Sequence, residues 1–253
     1  MSGFNVVIPA RYESTRLPGK PLEDIGGQPM IVRVASLATD SGAGEVIVAT
    51  DDQRIVEVVE DAGFQVELTR SDHVSGSDRV LEVVTARGWD EQQIVLNVQG
   101  DEPLIPPAVI SQLARLMQND PELAAATLCE PLTRREALFD PNVVKVVKAK
   151  DGRALYFSRA AIPHDRASFQ HAAPQLPETQ QWWRHVGMYA YRVWALMRFV
   201  ELPVSDLEAT ESLEQLRLLD NGLDLLVAQA VEPVPGGIDT PADLARVRKL
   251  LAT

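Results

Sequence analysis

Short apolar runs alternating with stretches of helical periodicity constrain this chain more than any other feature, because elements in that order pack as a layered α/β sheet. Val6, Val7 and Ile8 after Phe4, EVIVAT at 45–50, QVEL at 65–68 and QIVLNVQGDEP at 93–103 read as strands. Between them, PMIVRVASLA (29–38), DDQRIVEVVEDAG (51–63) and SGSDRVLEVVTA (75–86) carry apolar residues at helical spacing. In the second of these, carboxylates cap the start, Ile55, Val58 and Val59 share one face, and Gly63 stops the turn. Strands linked by helices require right-handed crossovers, and a continuous apolar run such as the first suits a parallel strand covered on both faces. Pro9, which lacks a backbone donor, is expected to end that first strand.

The second half predicts a helix at 107–118, strands at 124–132 and 142–149, and a segment at 154–166 leading into a long loop at 170–181. A strand at 184–192 and an aromatic-bearing helix through about Val200 follow. One amphipathic helix is expected over 205–222, from its Ser-Asp start to its Asn-Gly stop, then a strand at 224–231 and a helix at 240–252. The expected fold class is α/β, a doubly wound, mostly parallel sheet. At 253 residues the chain is expected to form one large domain, or one domain with an excursion, burying about three quarters of its unfolded surface.

Composition narrows the partners. A net charge of −12 and a pI near 4.8 repel nucleic acid and anionic membrane surfaces. No apolar run approaches the ~18 residues of a membrane span. The start lacks a charged-then-apolar leader, so the expected location is cytoplasmic. Cys129 has no companion thiol and reads as a small buried hydrophobe. The remaining partners are a small molecule or another copy of the chain.

Against this acidic background, the loop after the first strand gathers Arg11, Arg16 and Lys20 against Glu13 alone, with Gly19 supplying backbone freedom and Pro18 and Pro21 stiffening it. Ligands of open α/β sheets sit at strand ends, and such a loop can wrap polyphosphate; the competing reading is a turn of solvated cations. Gly19-Lys20 is no P-loop, because Pro21 stands where Ser or Thr is required, and the lack of GxGxxG after the first strand argues against a dehydrogenase. Asp101 follows the strand in NVQGD and Asp239 lies in PGGIDTP. Two carboxylates on the rim of a cationic loop suit a Mg²⁺ ion bridging to phosphates. As isolated acids they read equally well as caps, Asp239 before Thr-Pro above all, and Glu102 stands beside Asp101 as a substitute.

The motifs VVIPARYESTRLPGKPL (6–22), SDHVSGSDR (71–79), NVQGDEPLI (97–105), YFSRAAIP (156–163), RHVGMYAYR (184–192), LEQLR (213–217) and GGIDTPADL (236–244) follow one another along nearly the whole chain. As a spaced set they resemble the 3-deoxy-manno-octulosonate cytidylyltransferases, the CMP-Kdo synthetases of bacterial lipopolysaccharide biosynthesis. The resemblance implies transfer of CMP from CTP to the anomeric hydroxyl of Kdo (3-deoxy-D-manno-octulosonate), release of diphosphate, Mg²⁺ as cofactor, and a Rossmann-like nucleotidyltransferase sheet. It places the nucleotide mainly on 1–123 and 206–253 and the sugar on 124–205; a homodimer is expected as well, because 124–205 adds strands and an aromatic-bearing helix beyond the nucleotide sheet. Arg11, Lys20, Asp101 and Asp239 are then catalytic, with Asp101 and Asp239 holding metal. Ala10, Arg11, Arg16, Lys20, Ser75, Gly76 and Gly100 meet the nucleotide. Arg79 and Arg159 are the candidates for the sugar carboxylate, with Gln99, His185, Tyr189, Glu214 and Gln215 around its hydroxyls. Without the resemblance, His185 reads as structural and the two arginines as ion-pair partners. The alternatives are a cytidylyltransferase for another acidic sugar, amino-Kdo or a sialic acid, and a silent nucleotide-binding regulator, which is expected to lack Asp101 or Asp239.

Overall fold

The computed structural model describes residues 3–13, 17–167, 169, 176 and 181–251. Arg16 and almost all of the loop expected at 170–181 lie outside them. The strands are β1 (Phe4–Ala10), β2 (Val46–Thr50), β3 (Gln65–Leu68), β4 (Ile94–Asn97), β5 (Ala125–Leu132), β6 (Lys145–Lys148), β7 (Ala154–Ser158), β8 (Trp182–Arg192) and β9 (Leu225–Gln229). The helices are α1 (Met30–Asp40), α2 (Gln53–Asp61), α3 (Gly76–Arg87), α4 (Pro107–Asn119), α5 (Arg135–Phe139), α6 (Val193–Glu201), α7 (Asp206–Glu211), α8 (Leu216–Asp220) and α9 (Pro241–Leu251).

Alternation along β1 divides the core. Phe4, Val6, Ile8 and Ala10 bury one face with Ile31, Val34 and Ala35 of α1, Ile55 and Val59 of α2 and Ile110 and Leu113 of α4. Val7, Ile47 and Val95 bury the other with Val80 and Val83 of α3, Leu196 and Phe199 of α6 and Leu216 of α8. Helices on both faces are what the continuous apolar runs required. The strand order is β3-β2-β1-β4-β8-β5-β9, with β6 on β8 and β7 on β6. β1 therefore has β2 on one side and β4 on the other, both parallel, and the crevice at their carboxyl ends is where such sheets take ligands.

The sheet is mixed and mostly parallel, as expected, with β8 antiparallel to both β4 and β5, and β5, β8 and β9 extend the first-half sheet itself. Pro9 does not end β1: it pairs with Ala49 of β2. Val6 donates to Glu45 O on the β2 side and Val7 O accepts from Val98 N, so odd positions face β4. Pro9 thus faces β4 beyond its last partner, Asn97, where the ladder needs no donor. The short helix α5 was not expected.

The predicted helix over 205–222 is two helices. Ser205 and Glu208 form a capping box that starts α7, which ends at Ser212 in the left-handed region (φ 52°, ψ 50°). The break is held by Arg217 of α8, whose Nε and Nη2 donate to Glu208 Oε2 and Oε1 at 2.7 and 2.5 Å, both residues being buried. Arg217→Ala strands the Glu208 carboxylate in the interior and is expected to lower unfolding free energy by about 3–5 kcal/mol in denaturant titrations. A loss below about 1 kcal/mol would rank the pair with ordinary surface bridges.

Candidate active site

At the carboxyl ends of β1 and β4 lies a cavity of about 380 Å³ lined by Pro9, Ala10, Arg11, Glu13, Lys20, Pro21, Gln99, Gly100, Asp101 and Asp239. The chain reaches it through a closed loop. Gly19 N donates to Tyr12 O at 3.0 Å, and Gly19, at φ 70°, turns into a 3-10 turn over Lys20–Leu22 that carries Lys20 inward. Gly100 is required for a different reason: a Cβ there would stand 2.9 Å from Pro9 O, so only glycine lets the loop after β4 lie against the end of β1.

Asp101 and Asp239 converge on Lys20, whose Nζ is 2.6 Å from Asp101 Oδ2 and 3.5 Å from Asp239 Oδ1. Backbone contact fixes the two loops together: Ile238 N donates to Asp101 O at 2.9 Å, and a Cβ on Gly237 would be 3.1 Å from that oxygen. The capping alternative for Asp239 fails here, because Thr240 caps α9: its Oγ1 accepts from Asp243 N at 3.3 Å while Asp243 Oδ2 accepts from Thr240 N at 3.0 Å. Behind this cluster, Glu102 Oε2 has no hydrogen-bond partner, and burial, with Asp101 next, pushes its carboxyl up to about 8. The concentration of carboxylates around one ammonium fits a site built to receive a further cation.

A second cavity, about 240 Å³, is lined by Gly76, Ser77, Asn97, Gln99, Tyr189, Tyr191, Ser212, Leu213, Glu214 and Gln215. Gln99 lines both cavities, so they adjoin. Its Nε2 donates to Asn97 Oδ1 at 3.3 Å. Gln215 is 5 % exposed and its Nε2 has no partner, a donor held ready where an unmet group is costly. Glu214 Oε2 accepts from Ser77 Oγ at 3.2 Å, and burial raises the Glu214 carboxyl above its ordinary range. Tyr189 and Tyr191 follow from β8, with stacked rings whose centroids are 5.8 Å apart.

The other expected residues lie differently. Arg79 is wholly buried, donating to Thr69 Oγ1 and, at 2.7 Å, to Asp51 Oδ2; it ties the ends of β2 and β3 to α3 and lines neither cavity. Arg159 spends its fork on backbone: Nε donates to Glu211 O at 2.7 Å, Nη1 to Pro141 O at 3.0 Å and Nη2 to Ser212 O at 3.3 Å. Through Ser212 O it touches a residue that lines the second cavity. His185 shares a strand face with Tyr189, ring centroids 5.4 Å apart, yet is buried, 2.9 Å from Thr127 Oγ1 through Nε2. Burial lowers its pKa to about 3, so it stays neutral. Ser75 Oγ caps α3 by accepting from Asp78 N at 3.2 Å. Arg11 donates to His73 O and lines the first cavity.

The sequence reading missed Ser77, Asn97, Tyr191, Ser212 and Leu213. Asn97, the one polar residue of β4, and Tyr191, one alternation past Tyr189, carried signals that reading did not use. Thr127 was also missed: its hydroxyl lies 2.8 Å from Met188 O and 3.1 Å from Val186 O, beside the register shift where Thr127 pairs with Tyr189 and Leu128 with Val186. The pocket draws on 76–99, 189–191 and 212–215, so the segment 124–205 does not hold it alone.

Known proteins resemble this chain along nearly its whole length. The cytidylyltransferase family model matches residues 5–225. The 3-deoxy-manno-octulosonate cytidylyltransferase of Nitrosococcus oceani is 51 % identical over 251 residues, 99 % of this chain and 97 % of that protein. The protein of the same name from Pseudomonas fluorescens is 54 % identical over 250 residues, covering 99 % and 98 %. A solved structure of CMP:2-keto-3-deoxy-manno-octonic acid synthetase complexed with CTP superposes with a TM-score of 0.90 at 44 % identity, over 98 % of each chain. A Leptospira borgpetersenii cytidylyltransferase, 16 % identical with a TM-score of 0.64, shares the fold. By the extent of these matches, the chain belongs to the cytidylyltransferase family.

Proposed function

We propose that this chain transfers CMP from CTP to Kdo, giving CMP-Kdo and diphosphate for lipopolysaccharide synthesis. The observation that carries this reading is the pair of adjoining cavities that meet at Gln99, one cationic and carboxylate-rimmed, one lined with polar groups and tyrosines. CTP brings about four negative charges, which Arg11 and Lys20 neutralise along the triphosphate; Arg16 joins them in this proposal. Ala10, Gly76 and Gly100 bound the nucleotide with backbone and little side chain, and Gly100 permits close approach. Gln99, Tyr189, Glu214 and Gln215 orient the sugar so that its anomeric hydroxyl faces the α-phosphorus. That oxygen gives up its proton to solvent and bonds to the α-phosphorus as the bond from that phosphorus to the oxygen bridging the β-phosphate breaks, and Lys20 and Arg11 stabilise the charge on the departing diphosphate. Asp101 and Asp239 would hold Mg²⁺, which when bound polarises the phosphate and lowers the pKa of the attacking hydroxyl. We also infer a cytoplasmic enzyme, supported by the acidic, single-cysteine composition, and a homodimer, supported by Phe139 and Leu155 standing exposed within 124–205. Among the described residues no helix is long and apolar enough to cross a membrane.

Initial rates of diphosphate release from CTP with Kdo, amino-Kdo and a sialic acid test the sugar assignment. Kdo is expected to give a kcat/KM at least about tenfold above the others, the scale of one well-placed polar contact. A higher value with a sialic acid would replace Kdo as the substrate.

A further inference from the structure

The wall of the second cavity that carries Glu214 and Gln215 begins at Ser212, the one non-glycine residue with positive φ among those described. A β-carbon in the left-handed region is strained, and such strain persists where surrounding contacts over-determine the backbone. Those contacts come from the end of β7 and centre on Glu211. Its Oε1 accepts from Ser158 Oγ at 2.5 Å and its Oε2 from Arg159 N at 2.9 Å. Arg159 turns its side chain back to the two successive carbonyls at the turn, Nε donating to Glu211 O and Nη2 to Ser212 O. Side chain and backbone of Glu211 are therefore both gripped by two consecutive residues.

The grip is itself anchored. Lys145 of β6 is fully buried and donates all three Nζ hydrogens to carbonyls, of Asp140 at 2.9 Å, Val143 at 2.5 Å and Arg159 at 2.6 Å. Arg159 Nη1 reaches Pro141 O in the same turn. A buried ammonium is costly unless hydrogen-bonded, and here, with the Asp140 and Glu211 carboxylates near enough to attract it, it binds the 140–143 turn to the residue that holds Glu211.

We propose that Glu211 is a positioning residue for sugar recognition: clamped by Ser158 and Arg159, it fixes the turn at Ser212 and so aims Glu214 and Gln215 into the cavity. The inference rests on the assignment of that cavity to the sugar. Glu211→Ala removes both acceptors, the milder Ser158→Ala removes one donor, and Glu211→Gln keeps one acceptor for Arg159 N. Amide hydrogen exchange, CTP binding by calorimetry, and KM and kcat for Kdo are measured on each full-length variant. In Glu211→Ala, exchange across 208–217 is expected to accelerate about tenfold or more while β1, β2 and β4 keep their protection. KM for Kdo should rise about tenfold with CTP affinity within about twofold, Glu211→Gln recovering part of the loss and Ser158→Ala falling between. Unchanged exchange at 208–217 would overturn the clamp. So would a general loss of protection with CTP affinity falling in parallel, the mark of a merely structural residue. If the wild type made nothing from Kdo, the sugar assignment would fall, and the exchange contrast alone would decide whether Glu211 holds the turn.

Discussion

Asparagine at Asp101 or Asp239 is expected to leave a folded protein whose turnover falls about 10²–10³-fold, equivalent to about 3–4 kcal/mol of transition-state stabilisation. Asparagine keeps the size and most hydrogen bonding of aspartate and removes the charge. The prediction rests on the convergence of two distant loops on one ammonium, with Ile238 N bonded to Asp101 O, and on the assignment of the α9 cap to Thr240. Were these residues caps alone, asparagine would serve as well and activity would hardly change. Turnover across a Mg²⁺ titration, with thermal unfolding as the fold control, separates the outcomes. The proposed metal role requires the midpoint to move to higher Mg²⁺ in both variants. A wild-type-like Asp239→Asn would remove that role.

Lys20→Ala is expected to lower kcat/KM for CTP by about 10²–10³-fold, the loss seen when one preorganised donor to developing charge is removed. KM for Kdo should stay within a factor of about two, because Lys20 lines the first cavity and not the second. The same substitution strips Asp101 and Asp239 of their shared partner, so the variant should respond more steeply to added Mg²⁺ than the wild type does. Equal losses toward both substrates would show that Lys20 shapes the fold of the loop and has no private role with the triphosphate.

Much of the layered fold was legible because burial on both faces leaves a continuous apolar run, as in Val6–Ile8 and Val46–Ala49, and a helix leaves its period. Direction is not written in such a run. β8 has the alternation of a strand whichever way it enters the sheet, and its antiparallel seat between β4 and β5 is fixed by the connections on either side. The break at Ser212 was hidden for a related reason: Ser205 and Asn221-Gly222 are true start and stop signals, while the interruption is fixed by tertiary contacts, the Arg217–Glu208 pair and the bonds to Glu211 from Ser158 and Arg159, far earlier in the chain. Site residues divide in the same way. Lys20, Gly100, Asp101 and Asp239 follow strand ends or glycine turns and could be placed from local pattern. Arg79 could not, since a buried arginine paired with Asp51 and one open to ligand look alike until the ends of β2 and β3 are seen to close over it.

Cytidylyl transfer between the two adjoining cavities can be followed by ³¹P NMR of the protein with CTP, Kdo and Mg²⁺. One phosphodiester signal, that of CMP joined to the sugar, is expected to appear in step with one diphosphate per CTP consumed and only when Kdo is present. Loss of CTP to free CMP without sugar, or no loss of CTP when both substrates are supplied, would contradict it.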